Sequence, residues 1–138
     1  SLMKNEPIFH NILDFGGGHG IFKEELNRHA LFVKNINQGE AIDYRWRYDA
    51  IVCASVLEFI LSLDDCLKTL KFILNERGKI FIASPMDSFE SRLYFKLIGN
   101  KQKRHSHKEI LSRVSKHFKI EVYKEWMNLY LSLRVSKS

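Results

Sequence analysis

Four of the five residues from 16 to 20 are glycine. Glycine weakens the interior of a helix or a strand, so this segment predicts a turn. A short apolar strand comes before the turn and ends at Asp14 and Phe15. The apolar spacing after the turn predicts a helix over about 20–28. The sequence therefore predicts a strand, a glycine turn and a helix in succession.

Strands are predicted at three further apolar runs, 31–33, 50–54 and 79–83. The run 50–54 is apolar throughout, which is typical of a strand buried on both faces of a parallel sheet. The segment between the first two runs has a weak pattern, with at most a strand stub at 41–44. Pro85 is expected to end the last of these strands.

Helices are predicted between and after these strands. Asp64 is expected to cap a helix whose apolar positions share one face, and Gly78 is expected to end it. Asp87 has the pattern of a capping box for a second helix that runs to Gly99. The pair Ser106 and Glu109 repeats this pattern before a third helix.

The final segment predicts two strands, at 120–123 and 129–135, close enough to form an antiparallel hairpin. Apolar and polar residues alternate in the second strand, so one of its faces is exposed. The whole succession predicts a three-layer α/β fold with a mostly parallel sheet and an antiparallel edge. A chain of 138 residues forms one domain, covering 1–138.

Charge is unevenly distributed in this sequence. The segment 96–117 contains seven Lys and Arg and one Glu, and so carries the whole net charge of +6. This segment faces either an anionic ligand or solvent. No aromatic residue interrupts the run 101–107, which disfavours nucleic-acid binding by base stacking there.

Other classes of protein are disfavoured by the cysteine count and by hydropathy. Cys53 and Cys66 have the spacing of neither a disulfide framework nor a metal site. A reducing, cytoplasmic location is therefore expected. The longest apolar stretch, 50–63, is interrupted by Glu58 and is too short to span a bilayer. The amino-terminal residues also lack the pattern of a secretory signal.

The glycine turn has the spacing D-x-G-x-G-x-G, starting at Asp14. A dinucleotide-binding turn would place its third glycine at the position of Ile21, and a P-loop would require Gly-Lys-Ser/Thr. Neither pattern is present. In an open α/β fold such a turn lies at the carboxyl edge of the sheet, where ligands bind. The nearby acid is suited to a ligand that carries a positive group.

Three ordered segments resemble the class I S-adenosylmethionine-dependent methyltransferases. They are ILDFGGGHG (12–20), YDAIVCASVLEFI (48–60) and LNERGKIFIASP (74–85). The resemblance implies the Rossmann-like fold of that family and S-adenosylmethionine as the cofactor. It also implies which residues contact the methionine half, the ribose, and the adenine and methyl side of this cofactor. These residues are Asp14, Gly16, Gly17, Gly18, Gly20, Asn37, Glu40, Ala54, Ser55 and Val56.

The sequence departs from the family pattern in two places. The acid that normally follows the second strand and binds the ribose is replaced by Asn37, and Glu40 is a candidate for compensation. The segment 30–49 is also too short for a full βαβ unit, so the second helix and third strand of the family are reduced. No segment matches the helix that covers the substrate in many relatives. An open site and a shortened sheet edge favour a homodimer.

Methyl transfer needs a general base only when the acceptor loses a proton in the reaction. His19, His105 and His107 are the candidate bases, each with a solvent-exposed structural role as the alternative. No third ligand accompanies the two later histidines, so no metal is expected. Two hypotheses follow: an active methyltransferase for a small or lipid-like acceptor, and a catalytically inactive module of the same fold that binds or assembles.

Overall fold

The computed structural model describes residues 8–16, 23–37, 40–54, 56–85, 105–126 and 130–137. Within these residues the strands are β1 (Phe9–Phe15), β2 (Ala30–Ile36), β3 (Tyr48–Ala54), β4 (Leu74–Pro85), β5 (Lys119–Trp126) and β6 (Tyr130–Ser136). The helices are α1 (Lys23–Leu26), α2 (Leu63–Ile73) and α3 (His107–His117), with a 3₁₀ turn at Leu57–Phe59.

The described strands form one sheet in the order β2-β1-β3-β4-β6-β5. Strands β1 to β4 run parallel to one another, and β6 is antiparallel to both of its neighbours, β4 and β5. The predicted mostly parallel α/β fold and the antiparallel hairpin edge are both confirmed. None of the helices in the described part of the chain is long and apolar enough to cross a bilayer.

The larger part of the core lies between one face of the sheet and the helices α2 and α3. In α2 the buried positions recur at helical spacing, as Leu63, Leu67, Leu70 and Ile73. They pack in the same cluster as Ile51 in the central strand β3. The other face carries a smaller cluster in which Leu26 of α1 packs with Ile12, Ala50 and Phe81. Strand β3 is thus covered on both faces, as its apolar sequence predicts.

Two predicted helix boundaries are wrong. Helix α2 begins at Leu63, one residue before Asp64, and follows Ser62. It ends at Ile73 because Leu74 has an extended backbone, with φ −84° and ψ 134°. Gly78 therefore lies inside β4, where the pairing register with β3 shifts.

The cap of α3 agrees with its prediction. The hydroxyl of Ser106 accepts a 3.1 Å hydrogen bond from the backbone N–H of Glu109. The helix predicted from Asp87 to Gly99 lies outside the described residues, as does most of the glycine turn.

The connection from β2 to β3 is short, as the length of the segment predicts. Its described residues, Asn37 and 40–47, form neither a helix nor a strand, so the predicted strand stub at 41–44 is wrong. The loop is instead stabilised locally: Asp43 pairs with Arg45 at 2.9 Å. In consequence, β2 pairs with β1 alone among the described strands.

Candidate functional site

The carboxyl ends of the parallel strands meet at one edge of the sheet, where ligands bind in open α/β folds. Strand β1 ends there at Phe15, β2 at Ile36 and β3 at Ala54. We call this region the carboxyl edge. The residues predicted for the cofactor lie along it, wherever the structure describes them.

Asp14 is the most unusual residue at this edge. Its side chain is 1% exposed, and neither carboxylate oxygen has a hydrogen-bond partner among the described residues. Burial raises the pKa of this carboxyl above its ordinary value of 3.8, because the charged form loses hydration. A buried carboxylate without a partner is unfavourable, so this position is suited to a ligand group that is positively charged or donates hydrogen bonds.

Gly16 follows β1 with a left-handed backbone, at φ 75°. Its N–H donates a 2.7 Å hydrogen bond to the carbonyl of Ile36, at the end of β2. A β-carbon at Gly16 would lie 2.3 Å from Cγ2 of Val56, which follows β3. This glycine therefore allows the ends of three strands to approach one another closely.

The remaining glycines of the turn, Gly17, Gly18 and Gly20, lie outside the described residues, as do His19 and Ser55. Of the other predicted residues, Ala54 is half-buried and Val56 is buried. Both lie at the carboxyl edge, but neither is among the described residues that line the cavity of about 520 Å³ at this edge.

A cavity of about 520 Å³ opens between the loop after β2 and the beginning of α2. Its lining includes Phe15, Asn37, Glu40, Tyr44, Ile60 and Leu70. Glu40 and Asn37 brace this loop against each other: Oε1 of Glu40 accepts from the Asn37 N–H at 3.0 Å, and the Glu40 N–H donates to the Asn37 carbonyl at 3.0 Å. The structure thus brings together the two polar residues that were predicted after β2.

His105 is held between α3 and the segment that follows β3. Its backbone N–H donates to the carbonyl of Glu58 at 3.1 Å, and Nε2 lies 2.6 Å from the carbonyl of Ile60. A carbonyl can only accept, so Nε2 carries the hydrogen of this contact. Nδ1 lies 3.1 Å from the carboxylate of Glu109. The Nε2 contact holds His105 between these segments, while Nδ1 is buried near the Glu109 carboxylate and has no hydrogen bond among the described residues. His107 is buried at the first position of α3.

Glu58 is a residue that the sequence reasoning missed. Its side chain is fully buried, and Oε2 accepts a 3.1 Å hydrogen bond from the hydroxyl of Ser84 at the end of β4. The signal was present, because Glu58 is the single charged residue in the apolar stretch 50–63. A lone acid in such a sequence indicates a buried carboxylate with a polar partner.

The described part of the basic segment, 105–117, is partly neutralised by ion pairs. Asp64 of α2 accepts hydrogen bonds from Arg113 and, at 2.9 Å, from His117. These contacts lower the pKa of Asp64, through His117 first and then Arg113. Lys108 and Lys116 are exposed on the same helix. This part of the segment therefore both binds α3 to α2 and presents cations to solvent.

Neither thiol is activated. Cys53 is buried, and burial raises its pKa well above the ordinary value. Burial also raises the pKa of Cys66 to about 11. Within the part of the chain that the structure describes, no group of three His, Cys, Asp or Glu is arranged to hold a metal ion.

Comparisons with solved structures agree with this fold. The N-methyltransferase NodS from Bradyrhizobium japonicum WM9, solved with S-adenosyl-L-homocysteine, is 13% identical with a TM-score of 0.70, covering 94% of this chain and 79% of that chain. A 1,6-didemethyltoxoflavin-N1-methyltransferase from Burkholderia thailandensis is 11% identical with a TM-score of 0.72, covering 96% of this chain and 72% of that chain. At these identities the likeness concerns the fold.

A third similar structure is an S-adenosylmethionine-dependent methyltransferase from Mesorhizobium loti. It is 12% identical with a TM-score of 0.72, covering 94% of this chain and 91% of that chain. No curated protein sequence matches the chain significantly. The family model described as "Methyltransferase domain" matches residues 2–128, and the chain therefore belongs to the methyltransferase-domain family.

Proposed function

We propose that this chain transfers a methyl group from S-adenosylmethionine to a small-molecule or lipid-like acceptor. The observation that carries the proposal is the buried carboxylate of Asp14, which has no partner among the described residues of the chain. The family match and the fold of the neighbours support the reaction class. The alternative of an inactive module finds no support in them.

The residues present fit this cofactor. The methionine part of S-adenosylmethionine carries an ammonium group. This group would be a positively charged partner for the Asp14 carboxylate. Gly16 lets Val56 pack directly against the end of β1, which brings the ends of three strands close together two residues after Asp14. The cavity of about 520 Å³ at the same edge is within the size range of small-molecule sites.

The nucleoside part would be bound without the acid that is usual in the family. We assign Asn37 to the ribose, because a side-chain amide can donate to one hydroxyl and accept from another. Its bonds are weaker than those of a carboxylate, since charge-assisted hydrogen bonds are about twice as strong as neutral ones. Glu40 holds the backbone of Asn37 and supplies the charge on this side of the cavity.

When bound, S-adenosylmethionine supplies a methyl group on a positively charged sulfur, which a nucleophile can attack. The part of the chain is to bind the cofactor, to orient the acceptor and to exclude water. Nε2 of His105 is held by the carbonyl of Ile60, and its Nδ1 is buried near Glu109, so we assign His105 a positioning role. His19, in the glycine turn, remains the candidate base for an acceptor that must lose a proton.

We further propose that the acceptor is anionic and that the protein forms a homodimer. The exposed lysines of the described basic segment, Lys108 and Lys116, favour an anionic acceptor. Among the described strands β2 pairs on one side alone, and such an edge favours a homodimer. Sedimentation of the purified protein tests the second point, and a screen of anionic against neutral acceptors with a labelled methyl donor tests the first.

Calorimetric titration with S-adenosylmethionine and S-adenosylhomocysteine tests the cofactor site. We expect binding by the unmodified protein and a loss of at least tenfold, about 1.4 kcal/mol, in Asp14→Asn. Glu24→Gln is the matched control, because Glu24 is an exposed carboxylate on the helix after the glycine turn. This variant should bind both ligands as tightly as the unmodified protein does. Equal affinities in Asp14→Asn and the unmodified protein would refute the assigned role of Asp14, and no binding by the unmodified protein would refute the proposal.

A further inference from the structure

A second cavity lies at the opposite end of the sheet, where β3 and β4 begin. Its volume is about 610 Å³, and its lining includes Arg47, Lys68, Lys71, Phe72, Glu76 and Lys137. These residues are not among those predicted for the cofactor. They come from the loop before β3, from α2, from β4 and from the end of the chain after β6, and only the fold brings them together.

The charge of this cavity is predominantly positive. Among the described residues that line it, four are cationic and one is acidic, and that acid, Glu76, pairs with Lys137 at 3.2 Å. Lys68, Lys71 and Phe72 are spaced three and four residues apart on α2, so they share one face of the helix. That face is exposed, with Phe72 55% accessible. The cavity is therefore suited to an anion that also presents a flat or apolar group.

Aromatic rings adjoin the cations. The guanidinium of Arg47 lies 4.3 Å from the centre of the Phe72 ring, and its Nη1 donates to the carbonyls of Tyr44 and Trp46. The ring of Tyr44 meets Phe72 edge to face, at 6.0 Å. Tyr44 is 54% exposed and Trp46 57% exposed. Arg47 thus holds a loop that displays two aromatic rings next to the basic cavity.

Trp46 also lines a neighbouring cavity of about 320 Å³ beside β2. That cavity contains Phe32, which is 56% exposed, and Lys34. Asp43 lines it as well, so among the described residues this cavity adds exposed rings to the surface but no net positive charge. We name the part around Arg47 the basic-aromatic surface, formed by Tyr44, Trp46, Arg47, Lys68, Lys71 and Phe72.

We propose that the basic-aromatic surface binds single-stranded nucleic acid; of its residues, Tyr44 also lines the cavity at the carboxyl edge. Proteins that bind single strands combine cations for the phosphates with exposed rings on which bases stack, and this surface has both. The basic run 101–107 lacks aromatic residues, and base stacking is therefore disfavoured at that run alone. The aromatic residues belong to a different surface, made by the loop before β3 and by α2.

Two other occupants fit less well. A second copy of the chain would place like charges opposite one another, which is unfavourable at an interface. An anionic bilayer binds protruding apolar faces, whereas here the rings border two cavities. A flexible strand with phosphates and bases can enter both cavities.

Fluorescence anisotropy with labelled single strands of about 15 nucleotides tests the proposal. The double variant Lys68→Gln/Lys71→Gln should bind at least tenfold more weakly than the unmodified protein at low salt. The slope of log binding constant against log salt concentration should be shallower by about 1.4 in this variant. Each phosphate contact on a single strand contributes about 0.7 to the slope, and two contacts are lost. Lys119→Gln/Lys124→Gln is the matched control, since it removes two exposed lysines from β5 and should bind normally.

A second variant separates nucleic acid from other polyanions. Trp46→Ala should weaken binding of the oligonucleotide at least fivefold and leave binding of inorganic polyphosphate unchanged, because only the oligonucleotide has bases to stack. Thermal melts of each variant confirm that it is folded. The proposal is overturned if the unmodified protein binds no oligonucleotide, if the Lys68/Lys71 variant binds as tightly as the control, if Trp46→Ala has no selective effect, or if anionic phospholipid vesicles bind while oligonucleotides do not.

Discussion

Gly16 and Val56 are in contact across the carboxyl edge, with no room between them for a side chain on the glycine. A β-carbon at Gly16 would lie 2.3 Å from Cγ2 and 2.7 Å from Cβ of Val56. The contact joins the end of β1 to the residues after β3.

Gly16→Ala should therefore destabilise the protein. The left-handed backbone costs an alanine about 1–2 kcal/mol, and crowding against Val56 adds about 1–3 kcal/mol. Urea denaturation measures the loss, and Val56→Ala in the same chain should restore part of it by removing the γ-methyls. An unchanged unfolding free energy in Gly16→Ala would contradict the close approach of these strand ends.

The charge on Asp14 should make the protein less stable at neutral pH. Its pKa is raised in the folded state by burial, so the folded chain binds the proton more tightly than the unfolded chain. The cost is present above the folded pKa and disappears as the pH falls through it toward 3.8. Asp14→Asn should thus raise the unfolding free energy by about 1 kcal/mol at neutral pH.

The difference between Asp14→Asn and the unmodified protein should shrink on acidification. Because both chains share every other titrating group, denaturation at a series of pH values isolates the contribution of this carboxyl. A variant that is less stable than the unmodified protein at neutral pH would indicate that Asp14 has a favourable partner in the absence of ligand.

Asp64 should have the opposite pH dependence. Its pKa is lowered in the folded state by the hydrogen bond from His117 and by Arg113, so its contribution is present above 3.8 and is lost as the pH falls through the lowered value. Asp64→Asn should lower the melting temperature slightly at neutral pH and have no effect in strong acid. The neighbouring exposed residue provides the control: Asp65→Asn should melt close to the unmodified protein at both pH values.

Ser106 should contribute to stability as the cap of α3. Removing its hydroxyl leaves the N–H of Glu109 without its 3.1 Å partner, so Ser106→Ala should cost about 1 kcal/mol. Ser112→Ala, at an exposed position on the same helix, should be neutral or mildly stabilising, because alanine favours helices. Chemical denaturation of the two variants compares them directly, and equal stabilities would rule out the cap.

Most of the fold could be predicted because its signals are local. The apolar run at 50–54 marks the central strand, and alternation near the end of the chain marks β6 in the hairpin. Boundaries were less accurate where two local signals competed. Gly78 is of the residue type that commonly ends a helix. The helix nevertheless stops at Ile73, and the residues that follow it belong to β4.

The candidate site could be predicted only in part. The acid before the glycine turn and Asn37 with Glu40 were found from order along the chain, because a family motif preserves that order. Glu58 was missed, since the Ser84 hydroxyl that binds it lies 26 residues away in sequence. His105 stays a candidate base, but its Nε2 contact with the carbonyl of Ile60 could not be predicted, because nothing near His105 in the sequence indicates Ile60 as a partner.

The sequence by itself determined the succession of strands and helices, because the periodicity of apolar residues follows from the geometry of the backbone. It also determined the membership of the family, through three motifs in order. Only the tertiary structure decided that Asp14 is buried with no partner among the described residues, and that Arg47 lies over Phe72 beside a basic cavity. Burial and contact depend on segments distant along the chain, which the packing of the helices onto the sheet brings to within a few ångströms of one another.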